Sequence, residues 1–443
     1  MENFLAQEFG KSQNYTNIPN EYFKTYDVKK GLRNEDGTGV RIGLTRVSDV
    51  SGYEIKDGHK IDSDGALYYR GYKITDIVNN NRHNADGFDE VMFLLLFGFL
   101  PSKKELDSFR KTFRNMYALP DDFIDINLLR HPTQNLMNVL QSSVLALFSY
   151  DDDPDNIEVF ETIKKGLNLA AKLPAITCYA YQSKMHHFEH QSLVIHYPNK
   201  EYSIAENILS MLRRDQEFTA SEAALLDTLL MIHADHGGGN NSTFTNVVVS
   251  STGTDIYSSM AASIGSLKGP KHGGANIKVL NMLEAVVGEI GYTDDDAKIT
   301  AIIEKMLDKD FFDQSGLVYG IGHAVYTISD PRAVLLKEYC SEIAKEKNRT
   351  VEYEFYARFE EIAKKIVSER KGKHISNNVD FYSGFAYDML GIPKDLYTPL
   401  FVCARIVGWL AHNIENKLYD GRIMRPATKY IGDILEYIPV KNR

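Results

Sequence analysis

Two histidines stand three residues apart in residues 233–240, which read HADHGGGN and end a segment with the apolar spacing of a helix. His-x-x-His spacing places both rings on one helix face, so a metal site is one interpretation. No third ligand follows at a convincing spacing, and the helix dipole alone favours a histidine near a helix C-terminus. Capping and packing therefore account for His233. The three glycines after His236 let another molecule or another stretch of backbone approach that ring closely.

A further histidine, His272, stands directly before the first turn of a predicted helix, in residues 271–276 (KHGGAN). The positive end of the helix dipole disfavours an imidazolium there, so His272 is expected to be neutral. A neutral ring can donate a hydrogen bond to an oxygen that is becoming negative, which is the role of an electrophile in catalysis. The structural alternative is a histidine that only satisfies local backbone groups.

The longest motif is residues 320–332, GIGHAVYTISDPR. Asp330 can cap a helix that has Pro331 at its first position. Arg332 then lies in the first turn, where a cation is unfavourable, and a bound anion would resolve that conflict. A dinucleotide-binding loop is rejected, because Val325 stands where the G-x-G-x-x-G pattern needs its third glycine.

Residues 378–384, NVDFYSG, supply a carboxylate between two apolar neighbours, Val379 and Phe381. Such neighbours would desolvate Asp380 and make it more basic if the site closes over it. An Asp beside a Ser-Gly segment is also a common helix cap or turn residue, and that is the structural alternative.

Taken in this order, these motifs resemble the citrate synthase family, including its GxGHxVxxxxDPR signature at residues 320–332. The resemblance covers nearly the whole chain. It implies an all-α, mainly helical, two-domain fold and a homodimer whose active sites lie between a large domain and a smaller mobile one. The large domain would comprise residues 1–273 and 379–443, and the small domain residues 274–378. The other family landmarks are residues 67–72 (LYYRGY), 94–98 (LLLFG), 100–101 (LP), 131–132 (HP), 404–412 (ARIVGWLAH) and 425–426 (RP).

The resemblance also implies a role for each matched residue. His272 would stabilise the enol or enolate of acetyl-CoA, Asp380 would remove the methyl proton, and His323 would polarise the keto group of oxaloacetate. The residues implied for oxaloacetate binding are His236, Arg332, Arg405 and, from the partner subunit, Arg425. The residues implied for coenzyme A binding are Leu317, Val318, Gly320, Ile321 and Asn378.

One departure from the family concerns coenzyme A. The family usually has Arg or Lys four residues after the signature histidine, in contact with a coenzyme A phosphate, and this chain has Thr327. The resemblance implies a citrate synthase that uses acetyl-CoA. The alternatives are a 2-methylcitrate synthase that uses propionyl-CoA, because one methylene leaves no motif, and a catalytically silent helical homologue that binds or regulates. The presence of His272, His323 and Asp380 together argues against the silent homologue.

The elements that must position these residues change along the chain. Turn signals and β-branched residues between residues 31 and 74 predict short strands and turns. From Phe88 onward, apolar residues recur at three- and four-residue spacing, which predicts helices. Thr219 and Glu222 have the spacing of a capping box at the start of a helix that must stop at the glycines after His236. Further helices are predicted over residues 274–287, 294–307 and 330–344.

The composition excludes several classes of protein. With 43% hydrophobic and 25% charged residues among 443, the chain is typical of one that buries a core. Its longest apolar run, residues 91–100, is far shorter than the roughly 20 residues that cross a bilayer, so no membrane span is predicted. A formal charge of -10, without Lys/Arg clusters interleaved with aromatic residues, predicts no nucleic-acid partner.

The cysteines and the N-terminus bear on compartment and cofactors. Cys178, Cys340 and Cys403 are widely separated and form no C-x-x-C pattern, so buried, reduced thiols are predicted. The first residues carry an acid where a signal peptide carries bases, which predicts a cytoplasmic protein. No metal is predicted, and no cofactor other than the coenzyme A thioester that serves as substrate.

Overall fold

The computed structural model describes residues 2–56, 59–419 and 421–442, and the chain divides into two compact units. One unit consists of the residues up to Gly43 and from Met424 onward. It contains two helices, α1 (Glu2–Thr16) and α2 (Glu21–Thr25). The other unit, Leu44–Ile423, contains a small sheet and all the remaining long helices.

The sheet has three antiparallel strands, β1 (Ser48–Lys56), β2 (His59–Tyr69) and β3 (Tyr72–Lys73), in the order β1-β2-β3. The β1–β2 hairpin pairs Ser48 with Tyr69, and its register shifts between Ser51 and Tyr53. The predicted β-rich segment near the N-terminus is therefore confirmed. Regular strands begin only at Ser48, because the glycine- and turn-rich residues before it form a single isolated bridge.

The remaining helices follow the sheet, and their mainly helical arrangement confirms the predicted fold class. They are α3 (Ile74–Asn81), α4 (Gly87–Phe97), α5 (Lys103–Arg114), α6 (Leu136–Leu147), α7 (Val159–Glu189), α8 (Ile204–Leu212), α9 (Ala220–His233), α10 (Asn241–Ser250), α11 (Ile256–Leu267), α12 (Ala275–Ile290), α13 (Asp296–Leu307), α14 (Pro331–Glu346), α15 (Thr350–Lys371), α16 (Asp380–Met389) and α17 (Tyr397–Leu418). Short 3₁₀ or π turns occupy Lys30–Leu32, Ile124–Leu129, Phe148–Tyr150, Lys394–Leu396 and Val440–Asn442.

Helix α17 is buried along almost its whole length and packs against α4, α7, α9, α10 and α11. A helix that is apolar on all sides belongs inside a core rather than on a surface. Five polar side chains are nevertheless buried in it, those of Thr398, Arg405, His412, Asn413 and Asn416, together with the indole of Trp409. Because buried polar groups require partners, this helix is a place to look for function.

Local signals set the helix boundaries as the sequence predicts. Thr219 forms a complete capping box with Glu222 at the start of α9. Asp330 caps α14, and Pro331 occupies its first position. The predicted helices over 274–287, 294–307 and 330–344 correspond to α12, α13 and α14, which extend at most three residues beyond the predicted C-terminal ends. The predicted domain boundaries at residues 274 and 378 stay a prediction.

The three cysteines are free and buried, as predicted. Within the described residues, no helix combines the length and the apolar character that a bilayer crossing requires.

Candidate active site

The turn after α9 carries the first histidine motif. His233 is buried, its Nδ1 lies 2.7 Å from the Leu229 carbonyl oxygen, and its ring packs edge-on against Phe401. Burial lowers its pKa to about 3, so the ring is neutral. His233 therefore has the capping and packing role that the sequence favours. In the described part of the chain, no group of three or more His, Cys, Asp or Glu side chains could hold a metal ion.

Asp235 ties this turn to two other elements, a role that sequence analysis missed. Its Oδ2 accepts hydrogen bonds from the Ser48 hydroxyl of β1 and from the Gly237 amide at 3.0 Å, and it lies 3.3 Å from His412 Nε2 of α17. Burial favours the neutral acid, but His412 and Arg405 outweigh burial and hold the pKa of Asp235 below its usual range. An ionised carboxylate thus fixes the turn that carries His236.

His236 points toward the signature motif. Its Nε2 lies 3.2 Å from the Tyr326 hydroxyl, and its ring centroid is 5.3 Å from that of His323. Burial is the main reason that the pKa of His236 lies well below its usual value, and the positive charge of Arg332 lowers it further. His236 is therefore a neutral hydrogen-bonding group at neutral pH.

His323 has a defined tautomer. Its Nδ1 accepts hydrogen bonds from the amides of Val325 at 2.9 Å and Tyr326 at 3.0 Å, so in the neutral ring the proton is on Nε2. The Tyr326 ring stacks on the imidazole at 4.4 Å between centroids. The Nε2–H group of His323 is consequently a donor whose direction is set by the loop around it.

Arg332 differs from its prediction in one respect. The sequence suggests that a bound anion would offset the unfavourable position of a cation in the first turn of α14. Asp330 already does so, because its carboxylate accepts from Arg332 Nε at 3.0 Å and from Nη2 at 2.7 Å, with both side chains buried. The same carboxylate caps the helix. Relief of the helix dipole therefore does not require a bound anion at Arg332.

Arg405 uses only part of its hydrogen-bonding capacity. The side chain is fully buried in α17, its Nε donates to the His233 carbonyl oxygen at 2.6 Å, and the guanidinium lies 4.7 Å above the Phe401 ring. Among the residues that the structure describes, neither Nη1 nor Nη2 has a hydrogen-bond partner. Burial lowers the pKa of Arg405 to about 10, which leaves it charged at neutral pH. A buried cation with two unused planar donors is suited to a carboxylate.

His272 lies between α11 and α12, and its Nε2 is 3.0 Å from the Ser242 hydroxyl oxygen at the start of α10. Its pKa is lowered to about 4, mainly by burial and further by Arg405. The predicted neutral ring is confirmed, but burial rather than the helix terminus is the main cause. α12 begins only at Ala275, so two residues separate His272 from the helix. A ring in direct contact with the helix N-terminus would require the helix to begin directly after His272.

Asp380 is the first residue of α16, beside the buried side chains of Val379 and Phe381. Burial raises its pKa to about 6, although Arg332 and Arg405 oppose the shift. The predicted increase in basicity is thus confirmed. The N-cap position belongs to Val379, and no side chain caps this helix end, so the structural alternative of a capping Asp does not hold.

The residues predicted for coenzyme A form one loop cluster next to Asp380. The backbone amide of Asn378 donates to the Gly320 carbonyl oxygen at 2.9 Å, and its side-chain Nδ2 donates to the Gly322 carbonyl oxygen at 3.0 Å. Gly320 has φ +82°, and a Cβ there would lie 2.8 Å from the Phe381 ring. Ile321 forms an isolated antiparallel bridge with Asn377. Val318 is buried, whereas Leu317 is exposed. The cluster exists, and its ligand stays a prediction.

The β1–β2 hairpin docks on the signature loop, which the sequence does not indicate. Thr327, which replaces the family's cation, donates its hydroxyl proton to the Gly52 carbonyl oxygen at 2.6 Å. Ser329 donates to Asp64 at 3.0 Å. A Cβ on Gly65 would lie 2.0 Å from the Ser329 carbonyl oxygen, so only glycine fits between hairpin and loop.

Arg425 lies in the other compact unit, in an irregular and exposed stretch near the C-terminus. Its predicted contribution to a partner subunit's site stays a prediction.

The other charged and polar groups of the site act on one another electrostatically. Arg332 and Arg405 both oppose protonation of His236, and both lower the pKa of Asp380 against the effect of burial. Two cations, neutral histidines and a basic carboxylate thus share one site.

Such a site, on a mainly helical fold, combines a basic carboxylate, neutral hydrogen-bonding histidines and cationic donors, which is the set that an acid–base enzyme with an anionic substrate requires. Residues 36–427 match the sequence model described as "Citrate synthase, C-terminal domain". The chain is 34% identical to a citrate synthase from Synechocystis, over 97% of this chain and 96% of that protein. It is 32% identical to 2-methylcitrate synthase 2 of Corynebacterium glutamicum, over 95% and 99% of the two chains.

Solved structures agree. The citrate synthase of Thermoplasma acidophilum, in a ternary complex with carboxymethyl coenzyme A and oxaloacetate, superposes with a TM-score of 0.75 at 27% identity, over 94% of this chain and 99% of that one. The citrate synthase of Pyrobaculum aerophilum gives a TM-score of 0.73 at 30% identity, over 91% and 94%. The chain belongs to the citrate synthase family, whose enzymes transfer an acyl group in a condensation.

Proposed function

We propose that this enzyme condenses acetyl-CoA with oxaloacetate and water to give citrate and free coenzyme A. One observation carries the proposal: the buried Arg405 guanidinium has two unpaired nitrogens in the same site as neutral His272 and a basic Asp380. An unpaired buried charge is costly unless a ligand completes it. A substrate carboxylate accepts from both nitrogens, and arginine offers the matching planar geometry.

The first step is proton removal from the thioester methyl group. That carbon acid is very weak, so a carboxylate can deprotonate it only if the charge that forms on the thioester oxygen is stabilised at once. Asp380 takes the proton, and His272 donates a hydrogen bond to the oxygen. The electron pair of the broken C–H bond forms the carbon–carbon double bond of the enol or enolate, and the π electrons of the thioester carbonyl move to its oxygen.

The second step joins two carbons. The enol carbon attacks the keto carbon of oxaloacetate, and the His323 Nε2–H group polarises the keto group and stabilises the negative charge on its oxygen with a hydrogen bond. The proton that Asp380 took from the methyl group balances the hydroxyl group that this oxygen becomes. Arg332, Arg405 and His236 hold the carboxylates of oxaloacetate, and Arg425 of the partner subunit completes that set. Water then attacks the citryl-CoA carbonyl, the C–S bond breaks, and coenzyme A leaves as a thiol.

The nearest alternative is 2-methylcitrate synthesis from propionyl-CoA. Relatives of both kinds cover nearly the whole chain at similar identity. One extra methylene changes transition-state binding by only about 1 to 3 kcal/mol, so pocket fit decides the preference. Leu317, Val318, Gly320, Ile321 and Asn378 would hold the coenzyme A portion in either case.

The test is release of free thiol from acetyl-CoA and propionyl-CoA, measured in parallel with and without oxaloacetate. Faster oxaloacetate-dependent release from acetyl-CoA supports the proposal, and faster release from propionyl-CoA replaces it with the alternative. No release from either would indicate a silent binding or regulatory homologue. Release without any added cofactor would agree with the thioester as the only coenzyme required.

We also propose a cytoplasmic homodimer whose small domain, residues 274–378, closes over oxaloacetate. His272 and Asp380 flank that segment, so closure would complete the catalytic set. Oxaloacetate interacts with Arg332 in the small domain and Arg405 in the large one, so it favours the closed form. Oxaloacetate alone should then contract the protein in solution scattering, and identical profiles with and without it would contradict closure.

Shared sites are testable by subunit exchange between Arg425→Ala and Asp380→Asn proteins. In a mixed dimer, one site carries both defects and the other carries neither. Partial recovery of activity supports Arg425 as a residue of the partner's site. No recovery, with mixed dimers confirmed by mass, contradicts it.

A further inference from the structure

Tyr326 contacts both histidines that the proposed reaction assigns to oxaloacetate. Its backbone amide donates to His323 Nδ1 at 3.0 Å, and its ring stacks on the same imidazole at 4.4 Å between centroids. Its hydroxyl lies 3.2 Å from Nε2 of His236, which belongs to the turn after α9. The tyrosine is only 2% exposed, so water does not compete for these contacts. One residue thus joins the signature loop to the turn that carries His236.

The direction of the hydrogen bond between Tyr326 and His236 follows from the number of acceptors. A phenol has one proton to donate, and a neutral imidazole has one protonated nitrogen and one nitrogen with a lone pair. Within the described part of the chain, His236 Nε2 is the only acceptor in hydrogen-bond range of the Tyr326 hydroxyl. If Nε2 carried the imidazole proton, the buried phenol proton would have no acceptor, which is costly. Tyr326 therefore donates to His236 Nε2.

The single proton of the His236 ring is then on Nδ1. The ring is neutral, because burial and the positive charge of Arg332 hold its pKa well below the usual value. Nδ1 makes no hydrogen bond to any residue that the structure describes, so its N–H group is available to a ligand. The charge of Arg405, which has two unpaired nitrogens, also lowers the pKa of His236. An N–H donor beside such cations is suited to a carboxylate.

We propose that Tyr326 is a positioning residue that fixes His236 in its Nδ1–H tautomer, and that Nδ1–H is the group with which His236 donates to a carboxylate of oxaloacetate. The tyrosine acts through His236 rather than on the substrate. This inference rests on the proposed function, because it names the nitrogen that binds the proposed substrate. The amide and the ring of Tyr326 hold His323, so loss of the hydroxyl alone leaves His323 in place.

The first test removes the hydroxyl alone. Tyr326→Phe keeps the stacked ring and the backbone amide. Tyr117→Phe is the matched control, because Tyr117 is 3% exposed and its hydroxyl donates to the Tyr202 carbonyl oxygen at 3.3 Å. Tyr117 packs against Phe113, and neither of these two neighbours belongs to the site.

We expect the Tyr326→Phe protein to bind oxaloacetate about three- to tenfold more weakly in calorimetry, the range of one hydrogen bond, and its KM for oxaloacetate to rise by the same factor. Its kcat should change less than about twofold, because His236 holds the ground state and the transition state alike. Tyr117→Phe should keep the wild-type KM, although it also loses a buried hydrogen bond. Equal KM values for the two variants would overturn the proposal.

A pair of substitutions at His236 tests which nitrogen is the donor. The side-chain amide nitrogen of asparagine can occupy the position of imidazole Nδ1, and that of glutamine the position of Nε2. We expect His236→Asn to bind oxaloacetate at least about fivefold more tightly than His236→Gln. Equal or tighter binding by the glutamine variant would overturn the assignment of Nδ1 as the donor.

The last readout does not depend on oxaloacetate. Imidazole ¹⁵N spectra of the substrate-free protein, with the His236 signals assigned by comparison with His236→Asn, report which ring nitrogen is protonated. We expect the proton on Nδ1 in the wild-type protein and a larger share on Nε2 in the Tyr326→Phe protein. A proton on Nε2 in the wild-type protein, or the same tautomer in both proteins, would overturn the proposal. A tautomer that shifts as expected, together with no oxaloacetate-dependent thiol release, would support the role of Tyr326 and refute only the proposed function.

Discussion

The two sides of the site are held in different ways. The core wall consists of His233, Asp235, His236, His272 and Arg405, which belong to α9 and the turn after it, to the α11–α12 connection and to α17. Buried side chains bond to one another there, as Asp235 does with Ser48 and His412. The loop wall consists of residues 317–332 and 376–380. Its parts are joined by backbone hydrogen bonds and by glycines in close contact.

This difference indicates which changes each wall tolerates. In the core wall, the sensitive quantity is the pairing of buried charge and hydrogen bonds, so removing a polar atom without changing shape should be costly. In the loop wall, the sensitive quantity is the free volume around the glycines. Adding a single methyl group should therefore be costly where a glycine contacts backbone. Of the five predictions below, those at Arg405, Gly65 and Thr327 test that contrast, and the two at Asp380 test the chemistry that both walls support.

The largest effect is expected from Asp380→Asn, which removes the base and keeps its shape. Turnover should fall by about 10² to 10⁴, the range typical of lost general-base catalysis. Oxaloacetate binding, measured by calorimetry, should survive, because Asp380 holds no carboxylate of that substrate. Turnover near the wild-type value would show that another group is the base.

Arg405→Met should separate binding from stability. Methionine fills a similar volume without charge, so oxaloacetate should lose a buried planar partner, and its KM should rise by at least about 10². The melting temperature should change little or rise, because the wild-type chain buries two unpaired nitrogens at this position. A lower melting temperature with an unchanged KM would assign Arg405 a purely structural role.

Gly65→Ala tests the loop wall by adding volume. The new Cβ would meet the Ser329 carbonyl oxygen at 2.0 Å, which forces the hairpin away from the signature loop. We expect about tenfold lower kcat/KM for oxaloacetate, since overpacking costs about 1 to 3 kcal/mol. Gly288→Ala is the matched control, because nothing lies within 4 Å of a Cβ there. Equal effects of the two substitutions would show that the hairpin does not support the site.

These glycine and side-chain contacts also mark the limit of what sequence could predict. Helix boundaries followed from caps and apolar period, since Thr219 and Asp330 act locally, within one turn. Neutral His272 and basic Asp380 were predicted from their neighbours along the chain. Asp235's partners, Ser48 and His412, are about 180 residues away in each direction, and no local pattern encodes such pairs.

Arg332 is a second example of what the sequence could not predict. A cation in the first turn of α14 predicts a bound anion, yet the cap residue Asp330 supplies the negative charge. One carboxylate can serve as cap and as ion-pair partner, because Asp330 Oδ1 accepts from both the Arg332 backbone amide and Nε while Oδ2 accepts from Nη2. Sequence spacing identifies the cap without showing that second use.

The pH profile should follow the basic carboxylate. Because burial raises the pKa of Asp380 to about 6, and only the ionised form can take a proton, kcat should rise with pH and level off above about 6. Below that value it should fall about tenfold per pH unit. His272, with a pKa of about 4, stays neutral across that range and adds no inflection. A flat profile from pH 5 to 7 would contradict Asp380 as the base.

The smallest effect is expected at Thr327, the position where the family usually has a cation. Its hydroxyl joins the signature loop to the Gly52 carbonyl oxygen of β1, and Thr327→Val removes only that donor from an isosteric side chain. A single partly buried hydrogen bond contributes about 1 kcal/mol, so kcat/KM for oxaloacetate should fall about two- to fivefold. Thr327→Ser keeps the hydroxyl and should retain wild-type values. If valine and serine behave alike, the Thr327 hydroxyl does not help to hold the hairpin on the signature loop. If only the valine variant is impaired, the Thr327 hydroxyl holds the hairpin on the signature loop. A coenzyme A phosphate must then be bound by other residues.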